Sequence, residues 1–361
     1  MNRVFLSDCE GPISKNDNAF EIATHFIPNG DKFFALVSKY DDVLADVVRK
    51  PGYSAGSTLK LVLPFLKAYD VTDRKMREFS AQNLVLIPGS KDSLKHIRRI
   101  CEAFIISTSY EHYIRALCDV LGFPFKNTYC TRVSLDKCLL AEREKVKLKE
   151  TARQIAATPM ITIPPSSKSL EDLSREDQET VRHLDNIFWS ELAQMNCGRI
   201  FDEVVTVGGE QKAEAIRDAA NKVGASLADV MYVGDSITDV EAFRLVRENG
   251  GLTVSFNGNG YAVKNAEVVV MSENNIVTAV IADVFCRRGK QAALKLVSDW
   301  KLQSLKRNDS VDRSLLDFLF SISPAELPKV QIVTPEDMET MVRESNEFRK
   351  KVRGEAIGRL G

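Results

Sequence analysis

Val4-Phe5-Leu6-Ser7-Asp8-Cys9-Glu10-Gly11-Pro12 decides how this chain is read. Val4-Phe5-Leu6 is short and apolar, the pattern of a buried strand. It leads to a carboxylate, with a second carboxylate two residues on and a glycine behind. A strand ending this way presents an acid pair at the mouth of a parallel sheet, where ligands of open α/β sheets collect. One carboxylate there can attack while the other moves a proton.

Working outward, five further short apolar runs read as strands: residues 103–106, 203–206, 230–233, 252–256 and 268–271. Helical patterns lie between several of them, as at residues 91–101 and 212–223. Such alternation predicts an α/β fold, a parallel sheet covered by helices on both faces. The alternation breaks twice. Residues 14–87 are helical in pattern (19–26, 32–48, 57–68 and 73–82), and so are residues 129–199 (139–157 and 170–195). Thr162-Ile163-Pro164-Pro165-Ser166-Ser167-Lys168 reads as a linker inside the second stretch. The expected organisation is therefore a core of residues 1–13, 88–128 and 200–285, a helical cap at 14–87, a second insertion at 129–199 and a C-terminal extension at 286–361. That extension is helical in composition, with one extended stretch at Val330-Gln331-Ile332-Val333. Its basic residues Arg349, Lys350, Lys351 and Arg353 are expected on a solvated helix face, and the extension offers a surface for oligomer formation.

The totals exclude several classes. The 361 residues exceed the needs of one small domain. With 49 basic and 50 acidic residues the net charge is −1, so no electrostatic case arises for nucleic acid or an anionic membrane. The 7 cysteines are odd in number and scattered, without a CxxC pair, which argues against a structural zinc site or a disulfide framework and for reduced thiols. Cys9, between the two acids, is expected to pack as a small apolar residue. No leader pattern precedes the first strand and no apolar run is long enough to span a bilayer. A cytoplasmic protein without membrane insertion is expected.

Three other segments carry chemistry. In Gly234-Asp235-Ser236-Ile237-Thr238-Asp239 two acids four apart follow a strand. They can share a hard divalent cation that keeps several waters, or they can be a loop residue and a helix cap. Ser107, with Thr108 and Ser109, follows the run 103–106 and precedes a helix expected from about residue 110. These hydroxyls suit a phosphate at a helix start, or a plain N-cap. Lys212 opens a helix after Gly208-Gly209 and either reaches the same crevice to neutralise an anion or is a solvated surface lysine.

Taken in order, Asp8-x-Glu10-Gly11, Ser107, Lys212 and Gly234-Asp235-x3-Asp239 resemble motifs I to IV of the haloacid dehalogenase superfamily, in its phosphoserine phosphatase-like branch. Residues 251–266, with Phe256-Asn257-Gly258-Asn259, are similar to the strand and loop that follow motif IV there. The two helical breaks fall where that family inserts cap domains. The resemblance implies a Rossmann-like core and an aspartyl-phosphate mechanism. Asp8 would be the nucleophile, and Glu10 the acid that protonates the leaving oxygen and then activates water. Ser107, Thr108 and Lys212 would bind the phosphoryl group. Asp8, Glu10 through its carbonyl, and Asp235 would hold Mg2+, with Asp239 in support directly or through water. It also implies an acid in the first cap helix that meets substrate, at the place of Glu21.

The chain departs from the family pattern at three points. Glu10 stands where the second acid is usually Asp, Pro12 follows where Thr or Val is usual, and Thr108-Ser109 replaces a frequent Gly-Gly. Glu at the second acid also occurs in a member that transfers phosphate to an alcohol. The chain as a whole is similar to an archaeal group labelled as a subunit of an energy-converting hydrogenase, although no cysteine cluster for nickel or iron–sulfur binding is present. The function expected is a magnesium-dependent phosphatase acting on a small-molecule phosphate ester. The alternatives are a phosphotransferase to a small alcohol and a non-catalytic accessory protein.

Overall fold

A computed structural model describes residues 2–164, 167–324, 326–358 and 360. Among these residues the strands form one seven-stranded sheet in the order β3-β2-β1-β4-β5-β6-β7. The strands are β1 Val4–Ser7, β2 Glu102–Tyr110, β3 Thr128–Thr131, β4 Val230–Gly234, β5 Leu252–Phe256, β6 Val268–Met271 and β7 Lys329–Ile332. All neighbours pair in parallel except β7, which runs antiparallel to β6.

Strands β1, β4, β5 and β6 are buried along their whole length. This is the pattern of a sheet covered on both faces. Alternate residues feed two separate cores. Phe5, Met231 and Val233 pack with the helices Ser90–Ile100 and Ile276–Arg288. Val4, Leu6, Val230 and Tyr232 pack with Ala215, Ile216, Ala219 and Ala220 of the helix Glu210–Val223. The period-2 side-chain alternation of a strand thus decides which residues meet Lys212 on that second face.

The α/β architecture with helical insertions agrees with the sequence reading, with three differences. Residues 203–206 do not form a strand. Glu203 ends the helix Ile200–Glu203 and Val205 is exposed. The run pairs with none of the seven strands, because its first residue completes a helical turn and its middle faces solvent. An unanticipated strand, β3, lies at the sheet edge, and its Thr-Tyr-Cys-Thr sequence has no continuous apolar run to announce it. Strand β2 continues through Ser107 to Tyr110 instead of stopping at Ile106, with a register shift against β3 between Ile106 and Tyr110. Thr131 Oγ1 donates to the Thr108 carbonyl at 2.6 Å and holds this part extended. The next helix is Glu111–Leu121, so Ser107 sits in a bulged strand and not at a helix start.

The two insertions share one hydrophobic core. Residues of the first, such as Phe33, Tyr40 and Phe65, pack with residues of the second, such as Leu148, Ile155 and Phe188. The Phe188 ring stacks on Tyr40 and meets Phe65 edge-on. Tyr40 Oη donates to Asp185 at 2.5 Å and accepts from Trp189 Nε1 at 2.8 Å. This helical body is joined to the sheet by two crossing linkers. Lys15 N–H donates to the Val85 carbonyl at 2.8 Å, and Ile87 N–H donates to the Ile13 carbonyl at 2.9 Å. Asn16 ties them further, accepting from Val85 N–H and donating to the Asn83 carbonyl, both at 2.8 Å.

The C-terminal segment extends the sheet through β7 and then forms the helix Met338–Arg353. Met341 packs with Val263, Val269 and Met271, and Ser345 Oγ donates to the Gly258 carbonyl at 2.6 Å. The linker expected at residues 162–168 includes Pro165 and Ser166, which lie outside the described residues. No helix among the described residues is long and apolar enough to cross a membrane.

The shared helical core makes Phe188→Ala a test of coupling between the insertions. Removing this fully buried ring is expected to cost about 3–5 kcal/mol of stability in urea unfolding. Amide exchange is expected to rise together in the helices Gly30–Asp42 and Glu142–Ala157; a rise in the second alone would contradict a common core.

Candidate active site

The carboxyl ends of β1, β2 and β4 converge on one pocket. Asp8, Glu10, Ser107, Thr108, Ser109 and Asp235 line it from the sheet side, and Asp41, Gly56 and Thr58 from the helical body. Lys212 and Asp239 lie beneath its floor, fully buried. The residues singled out as an acid pair, a hydroxyl, a lysine and a second acid pair are therefore neighbours in space.

Lys212 organises the floor. Its Nζ donates to Asp8 Oδ2 and to Asp239 Oδ1, each at 2.7 Å. Asp239 Oδ1 also accepts from Tyr232 Oη at 2.6 Å, and its Oδ2 accepts the N–H groups of Asp235 and Ser236 at 2.9 and 3.0 Å. Both oxygens of Asp239 are thus engaged by four donors. Asp8 Oδ1 accepts Cys9 N–H at 2.6 Å, and Asp8 N–H donates to the Val233 carbonyl at 2.8 Å, pinning the nucleophile candidate to the end of β4. Cys9 is buried as a small core residue.

The charges of this floor are balanced by contact. Burial pushes the Asp8 carboxyl up to about 7 against the pull of Lys212, and Asp239 and Asp235 add to the rise. Burial alone would lower the Lys212 ammonium, but Asp239 and Asp8 together hold it above its ordinary value. Burial opposes ionisation of Asp239 too, yet Lys212 and the Tyr232 hydroxyl keep its carboxyl below the usual range.

Glu10 is turned toward the helical body. Its Oε1 accepts the Asn18 N–H at 2.7 Å, at the first turn of the helix Asn18–Phe26, which Asp17 caps through Phe20 N–H. The carboxylate sits on a helix N-terminus, where backbone N–H groups and the helix dipole favour an acceptor. The longer arm of Glu thus joins the acid pair to the start of the cap. Burial and the nearby Asp17 raise the Glu10 carboxyl well above its ordinary value, against Asn18 N–H, Arg353 and Ser109.

The hydroxyl group of the site comes from the bulged end of β2. Ser107 Oγ donates to Ser109 Oγ at 3.1 Å and accepts Ser109 N–H at 3.2 Å. Thr108 Oγ1 is buried without a hydrogen-bond partner. Gly11 and Gly56 allow two close approaches. Gly11 has φ +105°, and a side chain there would overlap the Asp235 carboxylate. Gly56, at φ +92°, brings the helical body down on the sheet; a Cβ would come within 2.8 Å of Thr108 Cγ2 and 3.2 Å of Thr238 Cγ2. Asp41 fastens this approach by accepting Gly56 N–H at 2.9 Å and Thr58 Oγ1 at 3.0 Å.

Ligand oxygens of Asp8, Asp235 and Asp239 lie within 4.8 Å of one another. An all-oxygen, anionic donor set fits a hard cation such as Mg2+. Asp8 and Asp235 are the two of these that face the pocket.

Two functional candidates escaped the sequence reading. Arg349 and Arg353 were expected on a solvated face, but both guanidinium groups are buried at the pocket wall. Arg349 Nη1 donates to Asp235 Oδ2 and Arg353 Nη1 donates to the same oxygen at 3.1 Å. Lys351 instead is largely exposed and pairs with Glu273 at 2.7 Å. The available signal was the four-residue spacing of the arginines, one helical turn apart on one face; nothing in sequence tells that face from a solvated one. Glu21 is not among the pocket-lining residues. Both its oxygens accept from Asn16 Nδ2 at 2.9 Å, so it supports the linker instead.

A family model described as haloacid dehalogenase-like hydrolase matches residues 102–283, half of the chain. The structure of a gene product from Archaeoglobus fulgidus is similar over 100% of this chain and 99% of that chain, with 27% identity and a TM-score of 0.80. A substrate-bound phosphoserine phosphatase complex aligns over 76% of this chain and 95% of that chain, with 13% identity and a TM-score of 0.45, too loose a likeness to argue from. No curated protein matches.

Glu21 generates a pH prediction. Burial raises its carboxyl from 4.5 to about 7; Asp17 adds to the rise, while Asn16 and Arg353 oppose it. The folded state therefore holds this proton more tightly than the unfolded state. Its contribution is complete below the unfolded value and is lost as pH rises through the folded one. Glu21→Gln does not titrate, so the Tm of the wild type relative to this variant is expected to fall between about pH 4.5 and 7. Parallel Tm profiles would refute the assignment.

Proposed function

The chain belongs to the haloacid dehalogenase-like hydrolases, and we propose that it is a magnesium-dependent phosphatase that hydrolyses small phosphate esters through an aspartyl-phosphate on Asp8. The observation that carries this reading is the buried Lys212 bridge, which holds the Asp8 carboxylate at the carboxyl end of β1, in the pocket that the unpartnered hydroxyl of Thr108 also lines.

In this reading Asp8 attacks phosphorus in line with the ester oxygen. The new Asp8–phosphorus bond forms as the phosphorus–ester bond breaks, and Glu10 gives its proton to the departing alkoxide. Glu10 then takes a proton from water as that water attacks phosphorus, the acyl phosphate breaks, and inorganic phosphate leaves with Asp8 restored. Ser107, Thr108 and the N–H groups around them would receive the phosphoryl oxygens. Lys212 would hold Asp8 in its attacking rotamer and spread charge from its carboxylate.

Mg2+ would be held by Asp8, the Glu10 carbonyl and Asp235. When bound it would offset the repulsion between an anionic nucleophile and an anionic ester. Asp239, with both oxygens engaged, would act by holding Lys212 and the turn that aims Asp235, a positioning task distinct from that of a ligand. The closed helical body supports a small substrate, because a pocket roofed by Gly56 and Thr58 has little room for a macromolecular chain.

The test is phosphate release from a panel of small phosphate esters by the full-length protein. Activity is expected with Mg2+, loss with chelator and recovery on re-addition. Asp8→Asn is expected to reduce turnover to background. Glu10→Gln is expected to lower it by about 10²–10⁴-fold, the usual range for a lost general acid–base group. Turnover that persists in Asp8→Asn would remove the nucleophile assignment.

A further inference from the structure

Resting on the cation site just proposed, we infer that Arg349 and Arg353 are positioning residues that compete with the cation for Asp235, so that cation binding and the docking of the C-terminal helix weaken each other.

Three observations carry this. First, both arginines meet the same oxygen, Asp235 Oδ2, and Arg349 Nη1 also reaches the Asp235 carbonyl at 3.3 Å. A metal ligand must turn a lone pair toward the ion; Oδ2, which already accepts two guanidinium donors, has little left to offer, so an ion would have to use Oδ1 beside those charges or displace the arginines. Second, the two arginines place two positive charges on Asp235, at the wall of a pocket that Glu10 and Asp17 also line. A divalent ion added there would meet two guanidinium charges at its own ligand, where few waters screen the repulsion. Arg349 Nε is buried without a partner, so the docked position is not one in which this side chain is fully satisfied.

Third, the contact reaches beyond Asp235. Arg353 Nε donates to the Lys15 carbonyl at 3.0 Å, and its Nη2 donates to the Asn16 carbonyl. Those carbonyls belong to the linker that enters the helical body. The same guanidinium therefore ties together the cation ligand, the C-terminal helix and the hinge of the cap. A cation that takes Asp235 removes one of the anchors of that helix, and the linker loses a partner if the helix moves.

The experiment measures Mg2+ binding to the full-length protein by calorimetry, with amide exchange of residues 338–353 as a second readout. Coupling of this kind predicts that Arg349→Gln and Arg353→Gln bind Mg2+ roughly tenfold more tightly than wild type, while Arg353→Lys, which keeps the charge, stays within about twofold. In the wild type, saturating Mg2+ is expected to speed exchange in residues 338–353. Folded Gln variants with unchanged or weaker affinity would overturn the inference, as would wild-type exchange that does not respond to bound Mg2+. If the Gln variants do not fold, the wild-type exchange decides alone. Loss of all Mg2+ binding in the wild type and the variants alike would instead remove the cation site on which the inference rests. Binding that survives in wild type but not in Asp235→Asn keeps that site and leaves the arginine arms to decide.

Discussion

A buried ammonium is the constraint around which this site is built. Lys212 is fully shielded from water, and a lysine in that position without anions would cost several kcal/mol. Asp8 and Asp239 meet that need, and each transmits the requirement onward. Asp8 is fastened to the Val233 carbonyl, and Asp239 receives Tyr232 and the N–H groups of Asp235 and Ser236. One charge thus clamps the end of β1, the end of β4, the turn after β4 and the start of the helix Glu210–Val223. Removing a single member would leave an uncompensated buried charge, which is far more destabilising than never having buried the set.

The roof of the site depends on a different interaction. The two helical insertions enclose one apolar core, in which Phe188 of the later segment stacks on Tyr40 of the earlier. Neither segment would cover its apolar face alone. Joined, they form one body that is tied to the sheet by the crossed linkers at Lys15 and Val85. Glu10 belongs to both parts, since its backbone lies in the turn after β1 and its carboxylate sits on the first helix of the cap. The extra methylene relative to Asp supplies the reach for that contact.

The C-terminal helix closes the remaining wall. It is held by an apolar contact through Met341 and by a hydrogen bond from Ser345 to the loop after β5. That docking points Arg349 and Arg353 inward. Their burial is tolerable because Asp235 and the linker carbonyls receive them. The loop Asn257-Gly258-Asn259 serves both sides, since Asn259 N–H donates to the Asp235 carbonyl while Gly258 accepts from the helix. A segment far from the motifs in sequence thus completes the pocket they define.

The amino-acid order alone determined the strands that end on Asp8 and Asp235, the run containing Ser107, the helix carrying Lys212 and the two places where helices interrupt the alternation. Those are local properties: apolar runs, carboxylates at strand ends and glycines where backbones must approach. Three further features depended on tertiary structure. The run at 203–206 reads as a strand, yet its first residue ends a helix and Val205 faces solvent. The edge strand β3 lacks an apolar run, and only pairing with β2 makes it extended. Arg349 and Arg353 have the sequence signature of a solvated helix face, because a charged side chain carries no local mark of the anion it will meet. That anion, Asp235, lies over a hundred residues earlier, and only the docking of the helix Met338–Arg353 against β6 brings the charges together.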